Sequence, residues 1–461
     1  MNKTSVISQL NRLDTDRLKS YRELLDFYHG RQWEGRERRG EKRLTFNYTK
    51  VFIDKITSYL MSGVSFVVEA AEDSAEAKTK AQRAEAALNQ VYEESNLEQL
   101  DLETEIDGAI MGDASYKVTW DGQAKRVRVT APDVQGLYAW WLGDDISRVW
   151  RIASKYQLSA EESQFLYKLK PKGKLATVVE LWTDAEFELY LDDTLIEQKP
   201  NPYGGIPFII YPNLREPKRF WGISDLTQIM ESQRELNRAM SQLSRILELS
   251  GNPIAVLENV EESEDIAVRP GAVWNIPEDA KAYLLDLLQG GGVGLHIDYI
   301  NVLYRILHDI SESPRAAFGG TERDLSGVAL EIELNPLLQK VRRKRIIRTA
   351  AYNQRNRMIL RLLERYQGES FGNVRLRVVW KPILPQDMSR LVSNEQTLVQ
   401  SGIHSRRRAM DEIGVKDAEG EFQRWLEERE AILNMNKNNN NNKQPNTKST
   451  GERERVSADR V

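Results

Sequence analysis

The stretch SDLTQIMESQRELNRAMSQLSRILELSGNP, residues 224–253, decides the fold. Its amphipathic run predicts a helix over 224–250, opened by Ser224 and Asp225 as cap residues and ended by Gly251-Asn252-Pro253. At about 1.5 Å per residue such a helix is roughly 40 Å long. A second helix is predicted over 296–311, with Ile297, Ile300, Tyr304, Leu307 and Ile310 as its apolar stripe. Between the two lie a compact β-rich insert, 254–277, and the run Gly290-Gly291-Gly292, read as a flexible connector.

Downstream, a loop over 312–326 leads to a very long helix, 327–366, which Pro336 should kink by removing a backbone donor. A strand at 376–380 and small helices at 388–401 and 405–430 follow. The tail 434–461, with five asparagines at 438–442 and almost no apolar residue, is expected to be disordered. Upstream, helices are predicted over 15–32, 49–60, 75–95 and 97–111, and strands over 64–70, 115–120, 126–130, 149–156, 176–182, 186–191 and 194–198. The pair Asp192-Asp193 fits a tight turn, and 200–217 reads as a proline-rich passage. The fold class is therefore α+β, mainly helical.

The chain has 461 residues, 40% apolar and 29% charged, enough for a core beneath a solvated surface. A net charge of −4 excludes a globally basic nucleic-acid binder but leaves local patches open. With no cysteine, disulfides, thiolate metal sites and cysteine nucleophiles are excluded, and a reducing cytoplasm fits. Residues 1–16 lack the apolar core of a signal peptide, and no stretch approaches the roughly 18 apolar residues of a membrane span. A soluble, intracellular protein without membrane contact is expected.

Catalytic chemistry finds little footing. His29, His296, His308 and His404 show no metal-binding spacing, and no metal or cofactor is expected. Gly290 to Gly294 lacks the Lys-Ser or Lys-Thr of a phosphate loop. Asp101, Glu103, Glu105 and Asp107 read as a solvated helix surface, since i and i+2 residues do not share a face. One cluster is unusual: ten basic residues between Lys340 and Arg365, including Lys340, Arg342, Arg343, Lys344, Arg345 and Arg348, with Glu364 as the only acid. It is read either as a solvated face, or one paired with acids of a neighbouring subunit, or as a contact for DNA phosphates.

Several phrases recur in a known order. Tyr21 to Gly30 carries a tyrosine-rich start, followed by Asn47-Tyr48-Thr49-Lys50 and Tyr59-Leu60-Met61-Ser62-Gly63. Trp221-Gly222-Ile223-Ser224-Asp225-Leu226 continues into Gln233, Leu236, Asn237 and Ser241. Trp380, Pro385 and Asp387 precede Ser401-Gly402-Ile403-His404-Ser405. Over about 400 residues this order resembles the SPP1-type phage portal proteins.

The resemblance implies a structural protein, not an enzyme: a ring of about twelve subunits at one capsid vertex, through which double-stranded DNA is packaged and ejected. It implies a portal fold of wing (1–223), stem helix (224–252), clip (253–292), second stem helix (293–312), tunnel loop (313–326), long wing helix and strand (327–385) and crown (386–433). DNA-contacting loop residues would be Pro314, Arg315, Phe318, Gly319, Gly320 and Arg323, and the channel would be lined by Asp298, Arg305, Asp309 and Glu312. An acidic wall of this kind repels phosphates. Implied partners are the terminase large subunit, major capsid and scaffold proteins, and a head-completion adaptor. The implied location is the virion, with assembly in the host cytoplasm. A non-ring, DNA-binding packaging accessory protein is the competing reading, and an α+β enzyme would need a catalytic cluster that the sequence does not display.

Overall fold

The computed structural model describes residues 6–39, 41–171, 173–251, 254–259, 279, 281–285, 292–320, 327–383, 388–415 and 418–441. The chain divides into two units, Met1–Ile383 and Leu384–Val461. Helix and sheet are mixed throughout the first.

That unit opens with α1 (Val6–Arg12), α2 (Thr15–Tyr28) and α3 (Tyr48–Leu60). Asn47 caps α3 by accepting from the Lys50 amide at 3.4 Å. Strand β1 (Val64–Ala70) then leads into α4 (Ala75–Glu94) and α5 (Leu97–Met111). β2 (Asp113–Asp121) and β3 (Arg126–Thr130) form the expected hairpin. β4 (Leu137–Leu142) and β5 (Asp145–Ser159) precede a short helix, α6 (Ala160–Tyr167), held by a capping box between Ser159 and Glu162. β6 (Leu175–Thr183), β7 (Glu186–Leu191) and β8 (Thr194–Pro200) complete an antiparallel sheet in the order β4-β5-β6-β7-β8. Asp192 and Asp193, at φ 45° and 66°, make the tight turn between β7 and β8. β9 (Phe208–Pro212) adds to the other side of β2, giving β3-β2-β9.

Next come α7 (Met230–Gly251), the two-stranded β10 (Ile254–Glu258) and β11 (Lys281–Leu285), α8 (Gly292–Ile310), α9 (Gly327–Gln367) and β12 (Val374–Trp380). The remainder of the insert, including 260–278, lies outside the described residues. β12 pairs antiparallel with β1, Val64 opposite Trp380, so the chain's two halves close one sheet. One core joins α2, α3, α5 and the five-stranded sheet to residues 226–239 and to Leu303 and Leu307 of α8. A second joins α4, the three-stranded sheet, α9 and β12.

The second unit holds α10 (Met388–Gln400), α11 (Arg406–Glu412) and α12 (Ala418–Asn441). His404 Nδ1 meets Glu395 at 2.8 Å, Arg407 pairs with Glu419 at 2.6 Å, and the Arg406 guanidinium lies 4.3 Å from the Trp425 ring centre.

Four expectations need correction. The helix predicted from Ser224 begins at Met230, because Ser224 and Asp225 are taken up by contacts elsewhere in the chain. Gly292 is not connector but opens α8, while Gly290 and Gly291 lie outside the described residues. The proline-rich passage conceals β9, whose run Phe208-Ile209-Ile210-Tyr211 is almost wholly buried. The tail expected to be disordered from 434 is helical as far as Asn441, since α12 runs through it, and 442–461 lie outside the described residues.

Candidate DNA-contact and assembly surfaces

The basic run on α9 is mostly interior. Lys340, Lys344, Arg345 and Arg348 are between 0 and 8% exposed, and Arg355 is fully buried. Residues 340, 344 and 348 repeat at i, i+4 and i+8, so one face of the helix carries them inward. There Arg348 and, further along, Arg355 meet the carboxylates of α5: Arg348 Nε donates to Glu105 at 2.8 Å, and Arg355 forks onto both oxygens of Asp101. Tyr116 and Tyr211 donate to the same two acids at 2.8 and 3.0 Å. Asp101 and Glu105 are therefore not a solvated surface: four residues apart, they share the buried face, while Glu103 and Asp107 stay outside. Nor are Lys340, Lys344, Arg345 and Arg348 a solvated face, because each is buried and paired within the chain. Arg345 donates to the Leu60 and Lys381 carbonyls at 3.2 and 2.8 Å, tying α3 to the residue after β12.

Asp225 is the third buried acid. It takes Lys340 at 3.0 Å and Lys344. Burial alone would raise its pKa, but the two ammonium groups outweigh that and hold its carboxyl well below the usual range. Two cations on one anion leave a surplus charge, and burial pushes the Lys344 ammonium down to about 8.

The phrase Trp221 to Leu226 is thus a joint between α5, α9 and the start of α7. The Gly222 amide donates to Asp113 at 2.8 Å, the Asp225 amide donates to the Ala109 carbonyl at 3.0 Å, and Ser224 Oγ donates to Ala109 at 3.2 Å. A Cβ on Gly222 would lie 2.4 Å from the Gly112 oxygen and 2.5 Å from Pro212 Cβ, so no side chain fits. Gln233, Asn237 and Ser241 form a second joint. Asn237 Nδ2 donates to Gln32 at 2.7 Å, Gln233 to the Phe46 carbonyl at 2.6 Å, and Ser241 accepts from the Leu44 amide at 3.0 Å.

On α8, Leu303, Leu307 and His308 are buried, and Ile300 and Tyr304 half-buried. The stripe read from sequence is therefore chiefly the inward face, though Ile297 and Ile310 are exposed. A different stripe faces out: Leu295, Tyr299, Val302, Ile306 and Ile310, each 37 to 73% exposed, at spacings of four, three, four and four. Beside it run Asp298, Arg305 and Asp309, all exposed. Glu312 is not a free acid, since Arg343 grips both of its oxygens at 2.6 and 2.7 Å.

The loop candidate starts as a 3-10 turn, Arg315–Phe318, anchored rather than loose. Phe318 meets the rings of Phe52 and His308 at 5.3 and 5.4 Å, Pro314 is half-buried, and Arg315 is exposed with its guanidinium 5.5 Å from the Tyr304 ring. Gly319 sits at φ 83°, with Gly320 after it. Arg323 lies outside the described residues. His308 Nδ1 donates to the Ser313 carbonyl at 2.5 Å, and burial lowers its pKa.

Arg342 and Arg343 remain on the surface, as do Arg357, Arg361 and Arg365. Sequence reading missed another cationic concentration, residues 31–43, whose signal is six Lys or Arg in thirteen positions against three Glu. Among the described residues there is no cluster of three metal-binding side chains, and no helix long and apolar enough to cross a membrane.

An inward-facing charge lattice and two helices joined through an insert are thus the main features of the described residues. The family model for "phage portal protein, SPP1 Gp6-like" matches residues 7–435, and the chain belongs to that family. Its role is that of a phage portal protein, its family is structural, and its place is the virion capsid. No curated protein matches it.

Proposed function

We propose that the chain forms a ring of about twelve copies at one capsid vertex, whose channel carries double-stranded DNA in during packaging and out during ejection. The observation that carries this reading is the outward apolar stripe of α8. A row of five large apolar side chains left to water on a helix whose other face is already packed marks a docking surface. Closed rings are built from head-to-tail contacts, in which one face of a subunit meets a different face of the next.

In this reading 1–223 and 327–385 are the wing, α7 and α8 the stem within 224–252 and 293–312, 253–292 the clip, 313–326 the tunnel loop and 386–433 the crown. Asp298, Arg305 and Asp309 face the channel, where two acids to one base discourage DNA from adhering. Arg315, with Gly319 and Gly320, gives the loop its contact with passing phosphates. The clip receives the terminase large subunit during packaging and a head-completion adaptor afterwards, while capsid and scaffold proteins surround the ring.

Native mass spectrometry and negative-stain imaging of the purified chain test the reading. Rings of about twelve subunits around a hole are expected. Val302→Asp with Ile306→Asp should leave a folded monomer, because two buried carboxylates at the contact cost more than the stripe returns. A wild-type chain that stays monomeric or dimeric at every concentration and salt would return the assignment to a non-ring accessory protein.

A further inference from the structure

The long helix α9 carries two surfaces that match each other and cannot meet within one chain. The first is an open groove of about 760 Å³ along its outer side. Ile346, Ile347 and Met358 of α9 line it, together with Ile146 of β5 and Phe220. Ile346 is 72% exposed, so the apolar wall lies open to a partner. The cations of the groove are Arg215, Arg357 and Arg361, and its one acid is Asp184. Among the described residues the ion pairs of α9 are made by Lys340, Arg343, Lys344, Arg348 and Arg355, which leaves the exposed Arg357 and Arg361 without one. An apolar wall with a cationic rim suits an acidic amphipathic helix laid along it. Nucleic acid fits it less well, because its contacts are more polar than this wall. The second surface is the start of the same helix, 327–335, ahead of Pro336. Val328 and Ile332, one turn apart, are 57 and 70% exposed. Glu331 and Glu333 flank Ile332, are exposed, and pair with no cation among the described residues.

We propose that the acidic arm 327–335 of one copy docks in the α9 groove of the next, with Val328 and Ile332 on the apolar wall and Glu331 and Glu333 toward Arg357 and Arg361. The contact runs between copies because one copy cannot make it. Ile332 and Ile346 sit on the same helix about 21 Å apart in rise, and Met358 lies about 39 Å from Ile332. A kink at Pro336 bends that helix without folding it back on itself. The lengths agree as well. The arm rises about 12 Å, and the groove follows α9 from Ile346 to Leu362, about 24 Å. An arm and a groove on one chain, each filled only by another copy, make a head-to-tail contact, the kind that closes rings. The proposal rests on the ring reading above and adds to the α8 stripe a second pair of faces, carried by different residues.

The chain has no cysteine, so introduced thiols are its only ones. Ile332→Cys combined with Ile346→Cys, or with Met358→Cys, samples both ends of the groove. Neither pair can bridge within one copy, because a disulfide needs Cα atoms within about 7 Å. Mild oxidation of the full chain should give a ladder of covalent multimers for at least one pair, while each single variant stops at the dimer. Charge reversal supplies the second reading. Arg357→Glu with Arg361→Glu should raise the concentration for half assembly at least about tenfold, as should Glu331→Lys with Glu333→Lys, since each sets like charges face to face. All four substitutions together should restore assembly, which a merely misfolded variant could not do. The contact is overturned if neither cysteine pair gives a ladder, or if the fourfold variant assembles no better than the doubles. It is overturned too if the Arg357/Arg361 variant assembles normally; should that variant have lost duplex-DNA binding, the face serves nucleic acid instead. Wild-type rings in native mass spectrometry without a ladder sink this contact and leave the portal reading standing. A ladder from a wild-type chain that forms no rings does the reverse.

Discussion

Arg355 and Asp101 show how much of the interior rests on pairing. Both are essentially unexposed, and removing one partner leaves an uncompensated buried charge. Arg355→Met should cost about 3–5 kcal/mol, read as a lower denaturant midpoint. Adding Asp101→Leu should recover most of that loss, since the expense lies in the orphaned carboxylate rather than in the missing bond. His308 makes a second residue-scale prediction. Burial against Phe52, Tyr304 and Phe318 depresses its pKa, so the folded state keeps the ring neutral. The unfolded chain takes up a proton near its ordinary value of about 6.5. Below that pH the unfolded state binds more protons and stability falls, in a window that opens near the unfolded value and closes at the lower folded one. Urea midpoints measured from about pH 7 to pH 5 should drop in the wild type and drop less in His308→Phe. The charges themselves were plain in the sequence, and the spacing of Asp101 and Glu105, four apart, already placed them on one face. What sequence left hidden was which face turned inward, because that depends on tertiary partners more than 240 residues away.

At the scale of elements, long periodic helices were legible and short elements were not. The long helix predicted over 327–366 matches α9 to within one residue, and the Asp192-Asp193 turn falls where expected. α1 and α6, at seven and eight residues, are too short for a period to declare itself. β4 and β9 are apolar runs without alternation, and β9 is bounded by prolines that read as loop. The start of α7 was misplaced because Ser224 and Asp225 look like caps, while their partners lie on α5 and α9. That joint gives the element-scale prediction. Gly222→Ala forces a methyl against the Gly112 oxygen and Pro212, and should cost at least about 2 kcal/mol, measured by denaturation. Gly122→Ala, with nothing within 4 Å of its Cβ, is the matching variant expected to be neutral.

At the scale of the molecule, the chain divides into two units. A chain ending at Ile383 should therefore unfold with the same midpoint as the first transition of the full chain, checked by circular dichroism. A shifted midpoint would mean that the second unit contributes to the first unit's core.

The pairing of β1 with β12 sets a clock on the protein's birth. Ser65 and Val379, neighbours in that sheet, are 314 residues apart. At ribosomal speeds of about 5–20 residues per second, β1 waits roughly 15 to 60 seconds for its partner to emerge. Until then the core that α4 shares with α9 lacks the residues of β12 that pack against it. Late closure of this sheet thereby withholds the finished first unit until residues 374–380 have been made.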